Sequence, residues 1–143
     1  MSQELLIAAS ALTGLLVIAG ALLKGWQDWL ALKSRELEPM PAALKTDATL
    51  VRGCSASVWV YPVERDGGLH WLADSNAAIT KGIVALVLSA VQDRPAAQVA
   101  ATDIAAELEP FDLKNQLSSN RTQGVPNMIA LVRETAARLA AEA

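Results

Sequence analysis

From Leu5 to Leu23 the chain runs nineteen residues without a charge (LLIAASALTGLLVIAGALL), bounded by Glu4 and Lys24. No other feature restricts the fold as much, because about 18 or more uncharged apolar residues can cross a bilayer as one helix. In that case the basic flank of Lys24, Lys33 and Arg35 holds the C-terminal side in the cytoplasm. A secretory signal fits worse, since no basic segment precedes the run and no A-x-A site closes it. The competing reading is a buried core helix, with Gly14 and Gly20 permitting close packing, although so small a domain has difficulty enclosing a helix on every side. An interfacial or self-associating helix fits less well, because apolar residues occupy all its faces. The spanning and the buried readings both stay open at this level.

The rest of the composition bounds size and partners. A chain of 143 residues, 52% hydrophobic and 19% charged, has the size of one domain and the reverse of a disordered composition. Twelve Lys and Arg against fifteen Asp and Glu leave no basic excess to neutralise phosphates, so nucleic acid is not an expected partner. A single cysteine, Cys54, excludes an internal disulfide, a CxxC redox pair and a thiolate zinc site. A single histidine, His70, argues against a histidine cluster, so no metal site is expected.

After Lys24 the pattern becomes that of a soluble domain. Trp26 and Trp29 are followed by the charged stretch KSRELE at 33–38, which Pro39 and Pro41 end. Residues 38–41 read as an extended connector and 42–45 as a helical turn. Residues 57–63 (SVWVYPV) and 69–73 (LHWLA) are strand-like runs flanking ERDGG, and Asp-Gly between such runs is the strongest short-range hairpin signal. Pro62 implies an edge or a bulge, Leu50 and Val51 offer a short third strand, and Trp59, alternating with Val58 and Val60, reads as core.

Asp74 and Ser75 read as the N-cap of an apolar helix over 76–92, the central helix of the domain. Gly82 inside it costs about 1 kcal/mol relative to Ala, which marks a place where another backbone comes close. Short helices are expected at 95–99 and 103–108. A final helix, reached through residues 110–116, lies at about 120–141, its regular part starting near Gly124 with Pro126 in the first turn. The expected fold class is α+β: a small antiparallel sheet of about three strands against several helices, with residues 1–25 as an apolar N-terminal helix and 26–143 as the functional domain.

The chemistry narrows to Cys54, in VRGCSASVW. Arg52 could stabilise a thiolate, and Gly53 lets the backbone turn sharply and present the sulfur. Against this stands the general tendency of free cysteines to be buried and inert. A triad of Cys54, His70 and Asp74 is disfavoured, because nothing requires Cys54 to reach the hairpin strand that carries the other two. A rhodanese-type loop fits poorly as well, since this cysteine leads into a strand and does not open a helix.

Three blocks of sequence together resemble the SufE-like family of sulfur acceptors. LVRGCSASVWV at 50–60 is similar to the family's GC-x-S-x-VW segment with its sulfur-accepting cysteine. ADSNAAITKGIVALVLSAV at 73–91 is similar to its D-S-[DN]-A-x-I-x-[KR]-G-[IL] helix, and LSSNRTQGVPNM at 117–128 to its L-S-x-x-R-x-x-G-[LV]-x-x-M. Their order and spacing match, and the resemblance covers the chain from about Pro39 onward.

The resemblance implies a SufE/IscU-like fold and a transpersulfidation carrier, sulfurtransferase-like and not a stand-alone enzyme. A cysteine desulfurase, SufS- or CsdA-like, would strip sulfur from free cysteine; Cys54 would accept it as a persulfide and pass it to a SufB-like scaffold complex for iron-sulfur cluster assembly. No cofactor of its own is implied, because the PLP belongs to the desulfurase. The matched positions nominate Arg52, Gly53, Ser55, Asp74, Lys81 and Arg121 as supporting or partner-docking residues around Cys54. The implied location is cytoplasmic, as monomer or homodimer, with residues 5–23 as a membrane tether if they span.

A related carrier feeding tRNA thiolation, or another sulfur-bearing cofactor, fits the same blocks, and a noncatalytic membrane-tethered domain of this fold is the reading of a different class. A cluster scaffold is disfavoured because it needs several thiolates. The chain also departs from the family. Ser55, Ala56 and Ser57 stand where longer Gln-type side chains are common, residues 26–38 resemble a shortened version of the usual charged first helix, and residues 5–23 have no counterpart.

Overall fold

The computed structural model describes residues 25–54, 56–113 and 124–142. The expected apolar helix over 5–23 lies outside them. Helix α1 occupies residues 25–34, and a 3-10 turn, Ala42–Leu44, follows the proline connector. Then come strands β1 (Val58–Arg65) and β2 (Gly68–Ser75), and helices α2 (Ala78–Ser89), α3 (Ala96–Ala101) and α4 (Ile104–Leu108). A 3-10 turn at Glu109–Phe111 follows α4, and helix α5 (Gly124–Glu142) ends the described chain.

The hairpin forms where Asp-Gly places it. Asp66 and Gly67 have φ of 50° and 80°, the paired positive values of a type I′ turn, whose twist matches that of the flanking strands. This sets Arg65 opposite Gly68 and Val58 opposite Ser75. Val58, Val60, Leu69, Trp71 and Ala73 share one face and are all buried, with Trp71 only 1% exposed.

The sheet has two strands among the described residues, not about three. Leu50 pairs with Trp59 as a single bridge, held by Val51 N–H to Val58 O at 2.8 Å and Val60 N–H to Thr49 O at 3.0 Å. Pro62 has the same parity as Val58 and Val60, so its missing N–H falls on this outer edge, beyond the point where residues 49–51 pair. On the other edge, Leu69 and Asp93–Arg94 exchange backbone bonds, and the Gln92 side chain both accepts from Trp71 N–H, at 2.7 Å, and donates to its carbonyl, at 3.0 Å.

Trp59 is not core. It lies on the opposite face from Val58 and Val60, half-buried, with the Lys45 ammonium 5.7 Å from its ring centroid and Tyr61 exposed two positions on. Side-chain alternation puts one of two adjacent residues outside, and here the valines take the inner face while β2 supplies the buried tryptophan.

Asp74 and Ser75 do not cap α2 in the expected way, because both belong to β2 and the helix starts later. Its N-cap position is Ala77, which makes no side-chain capping bond. Instead Asp74 accepts from Ser75 N–H at 2.8 Å and Ser75 Oγ from Ala77 N–H at 3.3 Å, so the two side chains shape the strand-to-helix turn.

Helix α2 is the central element. Residues 82–88 are buried without a break, as expected of a helix covered on every side. At Gly82 the backbone of α1 crosses so closely that a Cβ would overlap the carbonyl of Leu30, itself fully buried. Helix α5, described over Gly124–Glu142, buries Gly124, Met128, Val132 and Ala136 at four-residue spacing, and the helix packs on α3; the expected start near Gly124 borders residues outside the described ones.

Candidate functional site

Cys54 lies on the loop between the Leu50 bridge and β1. Val51 N–H to Val58 O closes the loop's base. Asn76 holds its far side, accepting Ser57 N–H at 3.1 Å and donating its own N–H to Ser57 O at 3.3 Å. Gly53 turns the chain with a φ of 83°, a conformation that favours glycine. The turn directs the Cys54 thiol inward, under the first turn of α5.

The thiol lines a small cavity of about 20 Å³ with Val58, Thr80, Ile83, Val84, Gly124, Val125 and Met128. These walls come from β1, α2 and α5. They are also the three blocks of the sequence: Cys54 and Val58 from the first, Thr80, Ile83 and Val84 from the second, Gly124, Val125 and Met128 from the third. Thr80 is the one polar side chain among them apart from the cysteine.

Burial pushes the Cys54 thiol above its ordinary pKa, because the apolar walls disfavour a thiolate. Arg52 does not act as the expected stabiliser of the anion. It is exposed, and burial is the cause that acts on the thiol. Its backbone matters more, since the Arg52 carbonyl accepts a hydrogen bond from Asn127 Nδ2 at 2.8 Å.

No triad forms. The His70 ring is engaged by Asp93 Oδ1 at 2.7 Å through Nδ1 and by Glu38 Oε2 at 3.5 Å through Nε2, and Glu38 also pairs with Arg65 at 2.9 Å. Asp74 binds Lys45 and, at 3.4 Å, Lys81. Burial alone would raise the Asp74 carboxyl, but hydrogen bonds from Lys45 and the Ser75 N–H, with the charge of Lys81, hold it below the usual carboxylate range. Among the described residues, no carboxylate or imidazole lines the thiol's cavity. Among the described residues, no group of three or more His, Cys, Asp or Glu is placed to hold a metal ion.

Of the residues nominated from the sequence, the structure puts Cys54, Gly53 and the Arg52 backbone together. Asp74 and Lys81 form a separate ion cluster with Lys45, away from the cavity lining. Ser55 and Arg121 lie outside the described residues. Gly124, Val125, Met128 and Asn127 were not nominated. All four stand in the third block, where Gly124, Val125 and Met128 fill patterned positions and were a signal, whereas nothing in the sequence marks Asn127.

The SufE family, described as an Fe-S metabolism associated domain, matches residues 22–136. Helix α1 therefore falls within the family region, which begins well before Pro39. The sulfur acceptor protein CsdE of Escherichia coli (strain K12) is 34% identical over 104 residues, 70% of this chain and 71% of that protein. The solution structure of a hypothetical protein from Thermus thermophilus shares the fold, with a TM-score of 0.60 over 78% of this chain and 82% of that one at 14% identity. The three blocks that meet around one thiol thus lie within a single family match that spans most of the sequence, and the chain belongs to the SufE family.

Proposed function

We propose that this protein is a sulfur acceptor and carrier that takes persulfide sulfur from a cysteine desulfurase onto Cys54. The observation that carries this reading is the cavity itself: a lone thiol, half-buried, against apolar walls with room for about one water-sized group. One added sulfur atom has that size, and apolar walls suit it better than they suit water.

The chemistry asks for little else. The Cys54 thiolate attacks the outer sulfur of the desulfurase persulfide, the S–S bond breaks, and its electron pair stays on the desulfurase cysteine as a thiolate. The outer sulfur and its hydrogen are now on Cys54, with no net change in oxidation state. Unloading the desulfurase frees its cysteine for another cycle, which accounts for stimulation of the partner.

A persulfide is easily oxidised, and apolar walls around a half-buried sulfur shield it in part until it reaches the next acceptor. We take that acceptor to be an iron-sulfur assembly scaffold of the SufB kind, in keeping with the family's association with Fe-S metabolism. A reduced thiol at Cys54 suits the cytoplasm. We assign the acceptor role to residues 26–143, with Gly53 shaping the loop and with Arg52, Ser55, Asp74, Lys81 and Arg121 proposed to support Cys54 or take part in docking the desulfurase. No helix of the described residues is long and apolar enough to cross a membrane, and residues 5–23 lie almost wholly before the family region.

The test is mass spectrometry after incubation with a cysteine desulfurase, PLP and cysteine. A reductant-labile gain of one sulfur, about 32 Da, on Cys54 is expected and is absent in Cys54→Ser. No gain with any desulfurase tried rejects the reading.

A further inference from the structure

We infer that the side chain of Asn127 is a latch that holds the Cys54 loop shut, and so sets how readily the thiol reaches a partner. This rests on the reading of Cys54 as the acceptor. A cavity of about 20 Å³ has no space for a partner's persulfide-bearing side chain, so in-line attack on the outer sulfur requires the thiol to leave it. The rate of sulfur uptake therefore contains an opening equilibrium, and whatever holds the loop enters that equilibrium.

Asn127 holds it in two ways. Its Nδ2 donates to the Arg52 carbonyl at 2.8 Å across 75 positions of sequence, and among the described residues this is the one hydrogen bond from outside the loop that reaches residues 52–54. The same amide also sits on the α-carbon of Gly53, where a Cβ would overlap Nδ2 and stand 3.5 Å from Cγ. Gly124, three residues earlier on the same helix face, meets Cys54 in the same manner. One turn of α5 thus grips three consecutive loop residues, 52–54, by packing of Gly124 on Cys54 and of Asn127 on Gly53, and by a bond from Asn127 to Arg52 that can break and re-form. The residue is exposed, so its role in the core is slight and its replacement leaves the buried face of α5 intact.

The test reads the thiol in the free protein. Alkylation of Cys54 by iodoacetamide is followed across pH for the full chain, for Asn127→Ala and for Asn127→Leu, which keeps the bulk and lacks the donor. Glu134→Ala, exposed on the same helix, is the control. Loss of one ordinary hydrogen bond from the closed state raises the open population about two- to tenfold. Both Asn127 variants are expected to alkylate faster by that factor at every pH below the thiol's pKa, with thermal midpoints lowered by no more than about 5 °C and Glu134→Ala matching the parent in both. A desulfurase then accelerates alkylation by a smaller factor in the variants than in the parent. Parent-like rates in both variants, with the fold intact, overturn the latch. Because alkylation needs no desulfurase, faster alkylation without any sulfur uptake would count against the acceptor reading and leave the latch standing.

Discussion

Gly124 lies against Sγ of Cys54 so closely that a Cβ would overlap the sulfur and stand 3.3 Å from both Cα and Cβ of the cysteine. The wall of the cavity is therefore fitted to a bare α-carbon. Gly124→Ala is expected to cost about 1–3 kcal/mol in urea unfolding, the usual range for an overpacked methyl group. Most of that loss should return in a Cys54→Ala background, because the sulfur is the atom in the way. A double-mutant cycle that closes additively within about 0.5 kcal/mol would show that the two residues do not press on each other.

Burial raises the Cys54 thiol, so its reactivity should be displaced along the pH axis. The folded state favours the neutral form. The stability this contributes is complete below the unfolded thiol pKa of about 8.5 and is lost as pH rises through the higher native value. Alkylation by iodoacetamide should rise with pH later in the native protein than in the same protein in urea. Coincident profiles would mean that the cavity does not enclose the sulfur in solution.

Asp74 behaves in the opposite sense. Its carboxyl is depressed in the fold, so the stability from its pairing with Lys45 and Lys81 is present above the unfolded carboxylate pKa of about 3.9 and is lost as pH falls through the lowered value. The lysine side chains are 30% and 34% exposed, and Asp74→Asn is expected to cost about 1 kcal/mol or less at neutral pH. The gap between parent and variant should shrink towards zero in acid. A gap independent of pH would place the effect in the Ser75 turn and not in the ion pairs.

Gly82 tests the packing of α1. A Cβ there meets the Leu30 carbonyl, a backbone atom that cannot rotate away. The helix propensity of Ala favours the substitution by about 1 kcal/mol. The clash should outweigh it, so Gly82→Ala is expected to destabilise by about 2 kcal/mol or more as α1 is pushed off α2. A neutral or stabilising result would show that α1 does not cross α2 at this point.

The hairpin was legible because its information is local. Asp66-Gly67 specifies a turn with two positive φ values, and the turn then sets the register of every pair down to Val58 and Ser75. Gly82 was legible for a related reason, since a glycine inside an apolar helix signals a close neighbour, though the neighbour, Leu30, was not identifiable. Asp74 was misplaced by two residues of strand. The strand ran on through Ser75, and a capping residue looks the same in sequence whether or not the chain has already turned into the helix.

For the protein as a whole, the sequence by itself determined the α+β class, the single thiol that any cysteine chemistry must use, and the three blocks that place the chain in its family. Periodicity, turn dipeptides and residue counts are properties of neighbouring positions, and they survive whatever the rest of the chain does. Only the tertiary structure decided that Trp71 and not Trp59 enters the core, that Leu50 makes one bridge and not a strand, and that Asp74 and Lys81 stand apart from the thiol. Those outcomes depend on which face of an element meets another element far away in sequence. The Asn127 amide, 75 positions from the carbonyl it binds, is the clearest case: no local pattern distinguishes it from any exposed asparagine, and its role exists only because α5 lies over the Cys54 loop.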